Sequence, residues 1–158
     1  MTTTRRATAA NLPFMEEVFV ITADWNPGHE RGAEYWRADP TFQMYIGGFP
    51  RPTDLGFIAA REGQDVGAIW SRYFTADDPG YGFVGEQTPE LTVGVVAGRR
   101  GEGIGRALMN VMLAASNTDL SLSVEDGNPA IELYRKSGFV EVGRVGNSTT
   151  MLRKRQGS

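Results

Sequence analysis

The stretch from Glu90 to Val124 constrains the fold of this chain more than any other. A β-prone run, Glu90 to Val96, meets the turn Ala97-Gly98-Arg99-Arg100-Gly101-Glu102-Gly103-Ile104-Gly105-Arg106. Apolar residues then recur at Ile104, Leu108, Val111, Met112 and Ala115, the spacing of one face of a helix packed on a sheet. Leu120 to Val124 reads as a further strand. A strand, a helix and a strand in that order favour a right-handed crossover, which sets the two strands parallel.

The remaining elements build around that unit. Thr4 to Thr8 reads as a short first strand, and Asn11 as the N-cap of a helix with Pro13 in its first turn, reaching about Ala23. Between Trp25 and Gly48, Pro27, Gly28, Gly32, Pro40 and Gly47-Gly48 punctuate an aromatic-rich stretch, so one or two short helices broken by turns are expected. Leu55 to Arg61 and Val66 to Phe74 flank Glu62-Gly63-Gln64-Asp65 and form a hairpin. Thr75 to Thr88 is a loop leading to the Glu90 strand. Asn128 caps a helix with Pro129 at its first position, ending at Gly138, before strands near Phe139 to Val145 and Thr149 to Arg153. The order is mixed α/β, and the 158 residues suit one domain, 1–158, without repeat or linker.

Several functions are disfavoured. A net charge of −3 argues against a nucleic-acid partner. No apolar run approaches the length of a bilayer span, so no membrane role is expected. The chain has no cysteine and Met1 to Arg6 runs into no apolar signal core, so the expected compartment is the cytoplasm. His29, the single histidine, lies in a Pro-Gly-rich stretch and reads as a surface residue, so no metal is expected. No Gly-x-Ser-x-Gly elbow is present.

The turn before Ile104 carries the chemistry. A helix start offers unpaired N–H groups and a partial positive charge. Glycines let a bulky anion approach the backbone, and Arg100 and Arg106 can add charge-assisted hydrogen bonds. A glycine-rich turn can also serve only to pack strand against helix, but glycines at 101, 103 and 105 between arginines favour an anion such as pyrophosphate. A P-loop would need Lys then Ser or Thr after glycine, where Ile104 follows Gly103. The dinucleotide fingerprint would need Gly or Ala at Arg106 or at Leu108.

Arg100-Gly101-Glu102-Gly103-Ile104-Gly105 resembles the pyrophosphate loop of the GNAT superfamily of N-acetyltransferases: Gln or Arg, two residues, Gly, one residue, then Gly or Ala. The second block of that family is matched by Asn128-Pro129-Ala130, Leu133-Tyr134 and Gly138-Phe139. The resemblance covers the chain from Glu90, with departures at Ala97, often proline, and Arg99, often aromatic. It implies a central mixed, mostly antiparallel sheet with a parallel strand pair splaying at the coenzyme site and helices on both faces. An acceptor-side half, about 1–88, would precede a coenzyme A-binding half, about 89–158. Acetyl-CoA is the implied acyl donor. Val93 to Val95 would pair with its pantetheine arm, the loop from Arg100 through Gly101, Glu102, Gly103, Ile104 and Gly105 to Arg106 would hold its pyrophosphate, and Asn128 would bind in the groove.

The implied reaction is N-acetyl transfer to a primary amine of a small molecule or peptide. The alternative is an acyl-CoA-binding module of the same fold with little or no catalysis; a third reading is an interaction domain whose loop only completes the fold. Tyr134 matches the family tyrosine that protonates the departing thiolate, although on residues alone a packed ring with a wetted hydroxyl is the preferred reading. Asn128 reads also as a helix cap. Glu90 is the best-placed general base, with Glu86 or Asp24 acting through water as alternatives, and relatives that rely on ordered water leave room for no dedicated base. On its own a charge at a strand start reads as solvated. Aromatics upstream of the loop, among them Trp25, Tyr35, Trp36, Tyr45 and Tyr81, would supply part of an acceptor pocket. Asp24, Glu30, Glu34, Asp77 and Asp78 would attract a cationic amine or else form ordinary surface charge. The family resemblance also admits a homodimer.

Overall fold

A computed structural model describes residues 1–156. Seven strands form one sheet: β1 (Thr2–Arg6), β2 (Leu55–Arg61), β3 (Gln64–Arg72), β4 (Glu90–Val95), β5 (Leu120–Glu125), β6 (Val140–Val145) and β7 (Ser148–Arg153). Their order across the sheet is β1-β2-β3-β4-β5-β7-β6. Every neighbouring pair is antiparallel except β4 and β5, the two strands that the crossover joins. The helices are α1 (Leu12–Ala23), α2 (Ala33–Ala38), α3 (Pro40–Ile46), α4 (Ile104–Ala115) and α5 (Ile131–Lys136).

The sheet separates two cores. On one face α4 and α5 bury Ile104, Leu108, Met109, Met112 and Tyr134 against Ile69, Leu91, Leu120 and Leu122. Leu108, wholly buried, makes the cost of truncation about 2–5 kcal/mol. On the other face α1 and α3 bury Met15, Val18, Phe19, Phe42 and Tyr45 against Ile58, Ala68 and Trp70. Alternation along β4 serves both cores, since Leu91, Val93 and Val95 join the α4 core. Gly94 faces α1, where a Cβ would come within 2.4 Å of Thr22 Cγ2 and 2.8 Å of Val18 Cγ1. A side chain at 94 would therefore push α1 off the sheet.

The C-terminal end of α3 is fixed by polar groups from the sheet. Trp70 Nε1 donates to the Tyr45 carbonyl at 2.9 Å, and Arg72 Nη1 to that of Met44 at 3.1 Å. The remaining Arg72 nitrogens hold Asp54 at 2.7 and 3.2 Å, with both side chains almost fully buried.

Several limits and caps differ from the sequence reading: β3 spans Gln64–Arg72, not Val66 to Phe74, and the last helix ends at Lys136, not Gly138. β1 runs Thr2–Arg6, not to Thr8, because the Thr8 hydroxyl accepts from Ala10 N and opens a 3₁₀ turn at Ala9–Asn11. Asn11 does not cap α1 through its side chain; its Oδ1 accepts from Thr8 N at 2.8 Å. The last helix begins at Ile131, not Pro129, because Asn128 Oδ1 accepts from Ala130 N and holds residues 128–130 in a separate turn. Among the described residues no helix is long and apolar enough to cross a membrane.

Candidate active site

The site arises from a parting of two strands. β4 pairs with β3 along its whole length, but with β5 only where Glu90 meets Ser121. Beyond that point one edge of β4, along Val93–Val95, is left without a strand partner. A cavity of about 680 Å³ occupies the gap, reaching both faces of the sheet.

The α4 end of the cavity is an array of free backbone donors. Gly98, Gly101 and Gly103 take φ of 84°, 82° and 81°, the left-handed region, and a Cβ on any of them would meet open space. The backbone turn, not crowding, demands glycine there. Among the described residues no amide from Gly101 to Arg106 donates to a backbone carbonyl, and the first amide that does is Ala107, to Gly103. Unpaired donors converging at the start of a twelve-residue helix fit a phosphate. Gly105 has a second function, since a Cβ there would come within 3.2 Å of Leu133 Cδ2 on α5. Together the curled loop, its open amides and the unpaired β4 edge fit a pyrophosphate with an extended amide-bearing arm, as coenzyme A has.

Of the loop residues singled out in the sequence, Arg100, Gly101, Gly103, Ile104 and Gly105 line the cavity, as do Val93, Val95 and Asn128. Glu102 and Arg106 do not. The Glu102 carboxylate is drawn away by Arg61 at 3.0 Å and Arg99 at 3.4 Å. Arg106 is exposed, while Arg99, which the sequence reading treated as a departure, joins the wall.

Two ionisable groups stand where the cavity crosses the sheet. Tyr134 is 8% exposed and its ring packs edge-on against Phe139 at 6.3 Å between centroids. Burial pushes its hydroxyl up to about 12, so it holds its proton at neutral pH. Glu90 is 3% exposed, not solvated, because it lies on a central strand covered by α3 and the segment around Gly80. Its Oε2 accepts from the Tyr45 hydroxyl at 2.6 Å, and that hydroxyl in turn accepts from Tyr81 N at 2.8 Å. The Tyr81 amide thus fixes the direction of the Tyr45 hydrogen. Glu90 Oε1 has no hydrogen-bond partner among the described residues. Burial, opposed by the Tyr45 hydrogen bond and by the nearby Gly82 amide, raises the carboxyl to about 7. Burial and the adjacent Glu90 charge raise the Tyr45 hydroxyl far above its usual range.

The alternative bases are engaged elsewhere. Asp24 accepts from Arg31 N, Gly32 N and Trp36 Nε1 at 2.8–2.9 Å. Although burial would raise it, those donors hold it below the usual carboxylate range. Glu86 accepts from Ala76 N and borders a different, shallow depression. None of Asp24, Glu30, Glu34, Asp77 and Asp78 lines the cavity, so these acids are not gathered around it. Of the aromatics, Trp25, Trp36, Tyr45 and Tyr81 line it, and Phe19, not singled out in the sequence, joins them. Trp70 and Phe74 belong to the core. His29 is exposed, and no group of three or more potential metal ligands exists among the described residues.

An α/β domain whose one parallel strand pair parts beside a helix-capped anion loop is the architecture of coenzyme-dependent acetyltransferases. The family model described as acetyltransferase (GNAT) domain matches residues 52–141, more than half of the chain, and the chain belongs to that family. A crystal structure of ribosomal-protein-alanine N-acetyltransferase from Brucella melitensis is 27% identical, with 96% of this chain and 99% of that one covered and a TM-score of 0.67. The PaiA N-acetyltransferase of Thermoplasma acidophilum in complex with coenzyme A has a TM-score of 0.71 at 18% identity, covering 98% and 99%. The putative acetyltransferase YncA of Salmonella typhimurium with acetyl-CoA has 0.65 at 20%, covering 97% and 93%. Those two likenesses establish the fold alone. No curated protein matches the chain.

Proposed function

We propose that this protein transfers the acetyl group of acetyl-CoA to a primary amine by direct attack on the thioester. The observation that carries the reading is one cavity, threading the parted strands, that joins the free loop amides, Tyr134 and the buried Glu90. Residues 1–158 are read as one domain, in which 89–158 hold the coenzyme and 1–88 form most of the acceptor side. A chain without cysteine asks nothing of an oxidising compartment, and we assign it to the cytoplasm.

Bound acetyl-CoA supplies an electrophilic carbonyl carbon and a thiolate leaving group. The amides of Gly101 to Arg106, with Arg100, hold the pyrophosphate; the open edge at Val93 and Val95 takes the arm; Asn128 lines the groove. The Glu90 carboxylate accepts a proton from the incoming ammonium, freeing the nitrogen lone pair. A carboxyl near 7 is partly ionised at neutral pH and is matched to that transfer. As the N–C bond forms and the C–S bond breaks, Tyr134 Oη gives its proton to sulfur, and the proton shed by the new amide nitrogen balances it. An amine that enters from the α1 and α3 side meets Glu90 before the thioester. Two poised ionisable groups on the cavity favour transfer over mere coenzyme binding.

Calorimetric titration with acetyl-CoA, beside an Arg100→Ala, Gly103→Val double variant, tests the reading. Micromolar binding, about −8 kcal/mol, that is lost in the variant is the expected result. A folded wild-type protein that binds no acetyl-CoA would overturn it.

A further inference from the structure

We propose that the acceptor is a monoamine with an apolar or aromatic body and no carboxylate of its own. The inference rests on the acetyl-transfer reading and narrows it to a substrate class. The cavity wall on the α1 and α3 side presents Phe19, Trp25, Trp36, Tyr45 and Tyr81 around the buried Glu90, with Thr22 and Thr41 as its small uncharged polar groups.

Two of those rings have already committed their polar tips. The Tyr45 hydroxyl donates to Glu90 and accepts from Tyr81 N, and Trp36 Nε1 donates to Asp24 at 2.8 Å. They offer a ligand little but ring surface, which favours an ammonium and an apolar body over a hydrogen-bonding one. The tyrosine that fixes Glu90 thus forms part of the acceptor wall.

Charge on the wall is sparse and placed to discriminate. Its cations are Arg99 and Arg100, both in the anion loop. An amino-acid acceptor would bring its carboxylate beside Glu90 with no counter-charge at hand. Among the described residues the lining carboxylates are Glu90 and Glu125, the latter exposed at the far end of β5. It lies four residues beyond Ser121, the register partner of Glu90, or about 13 Å along the strand. A second ammonium on a polyamine would find there only a solvated charge, worth little. One buried carboxylate within rings matches one amine.

The test compares acceptors on protein saturated with acetyl-CoA: phenethylamine, hexylamine, phenylalanine, spermidine and the peptide amide Ala-Ser-Phe. Thiol release gives kcat/KM, and calorimetry gives coenzyme binding and amine binding separately. The expected order puts phenethylamine and hexylamine first, at least about 100-fold above phenylalanine, whose buried carboxylate goes unpaired. Spermidine and the peptide fall below both monoamines. Tyr81→Ala removes an exposed ring but keeps the amide that holds Tyr45, and raises KM for phenethylamine about 10-fold with coenzyme binding unchanged. Spermidine, phenylalanine or the peptide used as well as the monoamines would overturn the inference and leave acetyl transfer standing. So would coenzyme binding with none of the five amines bound or acetylated. Failure to bind acetyl-CoA would instead remove the transfer reading itself.

Discussion

Replacing Glu90 by Gln should make the protein more stable and less active, and the stability gain should grow with pH. The folded-state value of about 7 lies above the ordinary 4.5, so the folded chain binds that proton more tightly than the unfolded one. The contribution of the neutral carboxyl is whole below about pH 4.5 and is lost as pH rises towards 7, where ionised Glu90 sits buried with one oxygen unpaired. Integrating those two values, the wild type falls behind a neutral isostere by about 1 kcal/mol at pH 5 and about 3 kcal/mol at pH 8. Glutamine keeps an oxygen for the Tyr45 hydroxyl and puts an uncharged donor at the buried Oε1 position, a pH-independent change that leaves the difference between pH 5 and pH 8 to the carboxyl alone. For a chain of this length the pH 8 figure corresponds to a rise in Tm of about 6–12 °C. Urea unfolding at pH 5 and pH 8 measures the difference, and thiol release with a monoamine acceptor measures the loss of kcat, about 10²–10⁴-fold. A Glu90→Gln protein whose stability difference from wild type stays flat between pH 5 and 8 would refute the raised carboxyl. Unchanged turnover would remove Glu90 as proton acceptor.

Tyr45→Phe deletes the donor that holds Glu90 down, so the acid limb of kcat/KM, expected near pH 7, should move to higher pH. An unmoved limb in a folded variant would mean that Tyr45 does not tune the carboxyl. Tyr134→Phe should lower kcat by about 10²-fold or more while acetyl-CoA binds within a few-fold of wild type, and calorimetry beside turnover separates the two effects. Arg72→Met leaves the buried Asp54 without its cation, which should cost about 3–5 kcal/mol by urea unfolding. A cost under about 1 kcal/mol would show that water reaches the pair.

The fold from Glu90 onwards was legible in the sequence because its signals are local. Glycines that need left-handed φ, the helix start and the Asn128 turn all lie within a few residues of what they act on. The crossover rule then supplied the parallel pair from element order alone. The part of the cavity built from the first half of the chain carries its information at long range, where sequence gives no such marker. Tyr45 and Glu90 are 45 residues apart, and nothing near Tyr45 marks it as the partner of a carboxylate. Asp24 was open to reading as a base for a different reason: its donors Arg31, Gly32 and Trp36 lie close in sequence, but in a turn-rich stretch whose path no local signal fixes. Glu90 itself was ambiguous, since a charge at a strand start is solvated unless the strand is central and both faces are covered. β4 meets that condition, and the parting from β5 leaves Glu90 at the last point where the two strands still touch. Strand pairing that stopped earlier would open the carboxylate to water and lower its pKa, while pairing that ran further would close the cavity. The same register therefore sets both the width of the groove and the basicity of the group at its base.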